Sequence, residues 1–262
     1  MSRYRFALRP WWIVSHVLVA ALVAALASAG LWQLDRLDQK RERNDLIAAR
    51  SELPTADVVG LAGPDAYDAV EALEYRIVEA TGSYLVDEEV LVRSRSLNGA
   101  PGSWVLTPLL LSDGTAVVVN RGWIPNSGEL HAVPEQSRAP AGTVRVEGLV
   151  RPTETRGRFG PQDPSEGRLT DLARADLARL DQQVDADLRP FYVQMTAQDP
   201  APDLSRAPKP LDAPAMDEGP HFSYAVQWFI FTTVALVGYP LILRKKARET
   251  AGEVQAPVSS AL

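Results

Sequence analysis

Two stretches of this sequence contain no Asp, Glu, Lys or Arg, and each is long enough to cross a bilayer. They cover residues 11–32 and 222–243, 22 residues apiece. A helix rises 1.5 Å per residue, so about 20 apolar residues match the ~30 Å hydrocarbon core. A chain with such a stretch near each end must place both in lipid and fold the mixed sequence between them in water. The predicted organisation follows. Residues 1–10 lie on the cytoplasmic side, and residues 11–32 form a first membrane helix. Residues 33–220 form an extracytoplasmic domain ending in a Pro-rich linker at 198–220. Residues 221–243 form a second membrane helix, and residues 244–262 a basic cytoplasmic tail.

A cleaved signal peptide is the competing reading of the first stretch. Arg3, Arg5 and Arg9 form a basic leader, and Ala27-Ser28-Ala29 has the form of a cleavage site. The apolar run exceeds the usual ~7–15 residues, however. Trp11, Trp12 and Trp32 also bracket it as interfacial aromatics do.

Orientation follows from charge. The chain carries −6 overall; residues 1–32 contribute +3 and residues 221–262 contribute +2, which leaves −11 on residues 33–220. Basic ends read as cytoplasmic. Arg36, Lys40, Arg41 and Arg43 oppose this count, but long domains translocate largely regardless of charge. An acidic domain lacks the basic patch of a nucleic-acid binder. Without cysteine there is no disulfide framework, thiolate metal site or cysteine nucleophile. A short basic N-terminus without the form of a mitochondrial presequence points to a bacterial cell membrane.

The central domain reads as α+β, mainly antiparallel strands forming either a sheet or a small barrel. Strands are predicted over 75–81, 90–95, 104–111, 116–124, 143–150 and 191–196, with Pro108 marking an edge or a break. Ser112-Asp113-Gly114-Thr115 reads as a tight turn. Residues 33–49 continue the first helix as a charged stalk. Residues 54–68 read as loop, and residues 171–180 as a helix capped by Thr170. None of the common nucleotide-binding, hydrolase or zinc-protease motifs is present.

The candidate functional residues are few. His131 sits in a polar loop and reads as exposed. His16 and His221 lie near opposite ends of the membrane helices, roughly 20 Å apart in depth, so they cannot both ligate one iron. His221 is followed at i+3 and i+7 by Tyr224 and Trp228 on one helical stripe. That arrangement suits either a planar amphipathic macrocycle or simple anchoring at the headgroups. Arg121 is apt for a carboxylate, whether a ligand propionate or one of the domain's own acids.

Several blocks resemble a known family. Gly30-Leu31-Trp32-Gln33-Leu34-Asp35-Arg36 is similar to the G-x-W-Q-x-x-R signature of the Surfeit-locus-protein-one family. Leu106-Thr107-Pro108-Leu109 and Val119-Asn120-Arg121-Gly122-Trp123-Ile124-Pro125 resemble its central blocks. Pro220-His221 with Tyr224 and Trp228 resembles the start of its second helix. The resemblance spans residues 11–246 and implies a non-enzymatic membrane assembly factor for cytochrome c oxidase that assists haem a insertion into the catalytic subunit. It implies haem a as a transient cofactor and His221 as ligand to the haem iron. It implies Trp228, Tyr224 and Arg121 as further haem contacts, and the oxidase core subunit, haem a synthase and the lipid bilayer as partners. Two other readings stay open: a membrane-tethered hydrolase using paired carboxylates, and a scaffold that binds oxidase subunits without haem.

Overall fold

The computed structural model describes residues 4–126, 132–203, 205 and 208–253; His131 lies outside them. In chain order the elements are α1 (Pro10–Ser51), β1 (Ala56–Asp57), α2 (Val58–Leu61), α3 (Val70–Leu73), β2 (Ile77–Tyr84), β3 (Val90–Leu97), β4 (Ala100–Leu111), β5 (Ala116–Pro125), β6 (Thr143–Pro152), β7 (Asp171–Leu172), α4 (Leu177–Asp181), β8 (Leu188–Asp199) and α5 (His221–Glu253). The chain divides into two compact units, residues 1–45 with 216–262, and residues 46–215.

The second unit is a closed barrel of five strands. Its order is β2-β6-β8-β5-β4, with β4 pairing back onto β2. Every pairing is antiparallel except β5 with β8. Of the sheet and the barrel, the barrel forms. The closing seam is short: Gly82, Ser83 and Tyr84 face Leu111, Leu110 and Leu109. A Cβ on Gly82 would lie 2.1 Å from the Leu110 carbonyl oxygen, so the seam needs glycine there. Outside the ring, β3 extends β4, β7 adds to β3, and β1 adds to β2.

All five strands send alternate residues inward. Val78, Leu109, Val117, Val119, Val144, Val146, Phe191 and Val193 form one buried cluster. The other face of β5 is buried too, because Ala116 and Val118 pack with Leu172, Leu177 and Leu180 outside the ring. Burial on both faces explains why residues 116–119 are uniformly apolar instead of alternating.

Several sequence expectations need correction. Residues 171–180 are not one helix. Asp171 and Leu172 form β7 beside Leu91 and Val92, and only Leu177–Asp181 is helical. The cap is Asp176, whose carboxylate accepts from Arg179 N at 3.1 Å, not Thr170. Tertiary contacts override the local propensity: Leu172 is buried against β3, and Asp163 and Glu154 accept the backbone N–H groups of Ala173 and Ala175. Pro108 neither ends a strand nor breaks one. It sits inside β4 where the neighbour changes from β3 to β2, so its missing N–H interrupts no ladder on that side. Residues 54–68 contain β1 and α2. The Pro-rich segment is tied down, with Lys209 and Trp123 exchanging backbone hydrogen bonds of 2.7 and 2.8 Å.

In the first unit, α1 and α5 are each long and apolar enough to cross a membrane. Helix α1 runs unbroken through the predicted stalk, and α5 continues past Leu243. Leu18, Leu22, Val234 and Val237 remain exposed, as lipid-facing residues should.

Candidate functional site

Helices α1 and α5 pair antiparallel through a column of specific contacts. At one end Arg41 donates two hydrogen bonds to the Glu218 carboxylate, at 2.9 and 3.0 Å, and Asn44 Nδ2 donates to the Met216 carbonyl at 2.8 Å. The Arg41 hydrogen bond holds Glu218 below the usual carboxylate range. Further along, Gly30 lies against Phe229. A Cβ on Gly30 would stand 2.9 Å from the Phe229 ring, so any larger residue there would make the ring shift. At the far end Tyr239 Oη lies 2.6 Å from both His16 Nδ1 and Ser15 Oγ.

His221 opens α5. Gly219, at φ +67°, turns the chain into the helix, and Tyr224 N donates to the Pro220 carbonyl at 3.1 Å. The imidazole Nδ1 lies 2.8 Å from Gln33 Oε1. No hydrogen-bond partner of Nε2 is found among the described residues. Tyr224 is exposed, and Trp228 is half-buried with its ring edge-on to Phe231, 6.1 Å between centroids. The three predicted residues thus share one stripe of α5 but are not packed into a closed pocket.

His16 is differently placed. Besides Tyr239, its Nε2 lies 3.1 Å from the Ala7 carbonyl, so both ring nitrogens are engaged. Gln33 and His16 are 17 positions apart on α1, about 26 Å by helical rise. His16 therefore belongs to a different layer from His221, as its position in the sequence indicates.

Arg121 lies in the barrel unit and is engaged there. The register of β4 and β5 shifts between Val105 and Leu106, which leaves Arg121 as the extra residue of a bulge, with Gly122 at φ +127° beside it. Arg121 Nη1 donates to Glu89 at 2.8 Å and to the Ser137 carbonyl at 3.0 Å, and Nη2 donates to the Arg138 carbonyl at 3.1 Å. Thr107 Oγ1 also donates to Glu89, at 2.9 Å. Burial pushes the Glu89 carboxyl up and the Arg121 guanidinium down, each opposed by the other's charge. Arg121 is thus paired with one of the domain's own acids, Glu89.

The amino-acid sequence matches the SURF1 family over residues 20–233. The chain belongs to that family. A SURF1-like protein of Mycobacterium tuberculosis is 29% identical over 261 residues, covering 96% of this chain and 92% of its own length. A SURF1-like protein of Rickettsia felis is 23% identical over 232 residues, 88% of this chain and 97% of its own. The cytochrome oxidase assembly protein SHY1 of Saccharomyces cerevisiae is 35% identical over 147 residues, 52% of this chain and 36% of its own.

The SURF1-like blocks acquire physical meaning in this geometry. Gly30 lets α5 approach, Gln33 meets His221, and the Arg36 guanidinium stands 5.6 Å from the centre of the Trp32 ring. The blocks beginning at residues 30 and 220 therefore form one place. The block around Arg121 builds the barrel instead. Sequence reasoning missed Gln33, Tyr239 and Glu89 as partners. Gln33 carried a signal, a polar residue directly after an uncharged run; Glu89 carried none.

Glu154 and Asp163, which line clefts of the barrel unit, have structural tasks. A 770 Å³ cleft is bounded by Arg93, Arg95, Glu154 and Arg174. Glu154 pairs with Arg95 and accepts from Ala175 N, while nearby Asp163 binds Arg93 and Ala173 N. Each is held by arginine and backbone N–H groups, and together they anchor residues 153–176.

Proposed function

We propose that this SURF1-family chain is a membrane-bound assembly factor for cytochrome c oxidase that holds haem a through His221 on its way to the catalytic subunit. It acts as a carrier and not as an enzyme. Helices α1 and α5 anchor it in the cell membrane with both termini cytoplasmic, and the acidic barrel domain lies on the extracytoplasmic side. The oxidase core subunit is its receiving partner and haem a synthase its supplier. The oxidase role rests on family membership and on the name of the yeast relative, a cytochrome oxidase assembly protein.

One observation carries the haem part. His221 stands at the start of α5 with Nδ1 occupied by Gln33 and Nε2 without a hydrogen-bond partner among the described residues. A ring nitrogen at the edge of an apolar helix, flanked by exposed Tyr224, is a donor that could hold the iron of a macrocycle. The sequence has no cysteine, and both ring nitrogens of His16 are engaged elsewhere, which leaves His221 as the imidazole donor at this end of α5 among the described residues. Bound haem a would bring the iron and redox chemistry that the oxidase needs. His221 would hold it, with Tyr224 and Trp228 beside it on the same stripe of α5.

The test is genetic and spectroscopic. In cells lacking this protein, the oxidase catalytic subunit should be present but depleted in haem a. The wild-type gene should restore the haem content and His221→Ala should not. Full haem content without the protein would remove the proposed role. Co-purification with the oxidase core but without pigment would favour the scaffold reading instead.

A further inference from the structure

We infer that Gln33 is a positioning residue that fixes His221 as an Nε2 donor. The inference deepens the haem reading of the same site and takes its purpose from it, but its geometry stands apart from any ligand. The contact is between His221 Nδ1 and the side-chain oxygen of Gln33, 2.8 Å apart. A carbonyl oxygen carries lone pairs and no proton, so Nδ1 must be the donor. A neutral imidazole holds one N–H. With that proton on Nδ1, Nε2 bears the lone pair, which is the form that binds a metal. Nitrogen ligands in metal sites are commonly held in this way by an acceptor on the other ring nitrogen.

The surrounding contacts keep the pair aligned from both sides. Toward the chain segment before α5, the two-pronged Arg41–Glu218 bond and the Asn44–Met216 bond fix the approach to the helix. In the other direction, the close approach of Gly30 and Phe229 sets the separation of the two helices. Gln33 and His221 lie between these two clamps, so a slip of either helix would separate them. This gives a physical reason for a glutamine three positions after the glycine: the glycine sets the spacing and the glutamine uses it.

The test uses the full chain in lipid nanodiscs, labelled with ¹⁵N-histidine. The chain contains three histidines, and substituting each in turn assigns the resonances. Spectra are recorded in mildly alkaline buffer. Wild-type His221 should show a protonated Nδ1 and an unprotonated Nε2. Gln33→Leu should lose this preference, whereas Gln33→Glu, whose carboxylate also accepts a hydrogen bond, should keep it. With hemin as the probe, Gln33→Leu should bind about 10–100-fold more weakly. Gln33→Glu should stay within a few-fold of wild type. A protonated Nε2 in the wild type, or a spectrum that Gln33→Leu leaves unchanged, would overturn the inference. A tautomer that responds to Gln33 in a protein with no hemin affinity would uphold the positioning role and remove the haem reading. Hemin bound through His221 with a tautomer indifferent to Gln33 would do the reverse.

Discussion

Glu89 and Arg121 face each other across 2.8 Å, with 3% of either side chain exposed. The pair joins the start of β3 to the bulge of β5. Arg121 also holds the backbone at Ser137 and Arg138, ahead of β6. Removing one member leaves an uncompensated buried charge, which costs about 3–5 kcal/mol. Arg121→Ala and Glu89→Ala should each lower stability by that order in thermal unfolding of the purified protein. The double variant should cost less than the two singles together. If Arg121 instead served a ligand, Arg121→Ala would reduce binding with little loss of stability.

The same pair sets a pH dependence. Burial raises Glu89 above its ordinary value of 4.5 in the fold. A group raised in the folded state contributes stability below its unfolded value and loses it as pH rises through the folded value. The stability of wild type relative to Glu89→Gln should therefore decline as pH rises above about 4.5. Asp113 behaves oppositely. Hydrogen bonds from Thr115, aided by Arg189, hold it below 3.8. Its contribution relative to Asp113→Asn should be present at neutral pH and vanish as pH falls through that lowered value. Melting curves across pH check both signs.

Gly30→Leu should wedge the two long helices apart at Phe229, and overpacking of this kind costs about 1–3 kcal/mol. Phe229→Ala in the same chain should recover part of that loss by making room. If Gly30→Leu melts like wild type, the close approach is not what holds the helices.

Tyr239→Phe removes the hydroxyl that links Ser15 and His16. Interhelical hydrogen bonds in membranes average about 0.6 kcal/mol, so the change in melting temperature should be small. Haem retention should be unchanged, because this network lies about 26 Å along α1 from Gln33. Loss of pigment from Tyr239→Phe would place the binding site in the wrong layer.

The membrane helices were legible because a run of 22 residues without a single charge suits the hydrocarbon core and little else. Strands β5 and β6 were legible from their valine-rich runs and the Asp113-Gly114 turn. What escaped were features decided by distant partners. Leu172 reads as helical until β3 is present to bury it, and Pro108 reads as a break until the switch of neighbours leaves it no ladder bond to lose. Closure of the barrel depends on three residue pairs at Gly82–Tyr84 that no local pattern announces. At the candidate site, His221 stood out as an ionisable residue beside lipid, while Gln33, 188 positions away, could be joined to it only by the helix pairing.

The central claim is that His221 holds haem a. Its most direct test is the visible spectrum of the full chain, co-produced with haem a synthesis and purified in detergent. Wild type should carry a Soret band of bound haem a. His221→Ala should lose most of it, and His16→Leu, equally well folded by circular dichroism, should keep it. Equal pigment in wild type and His221→Ala would contradict the account.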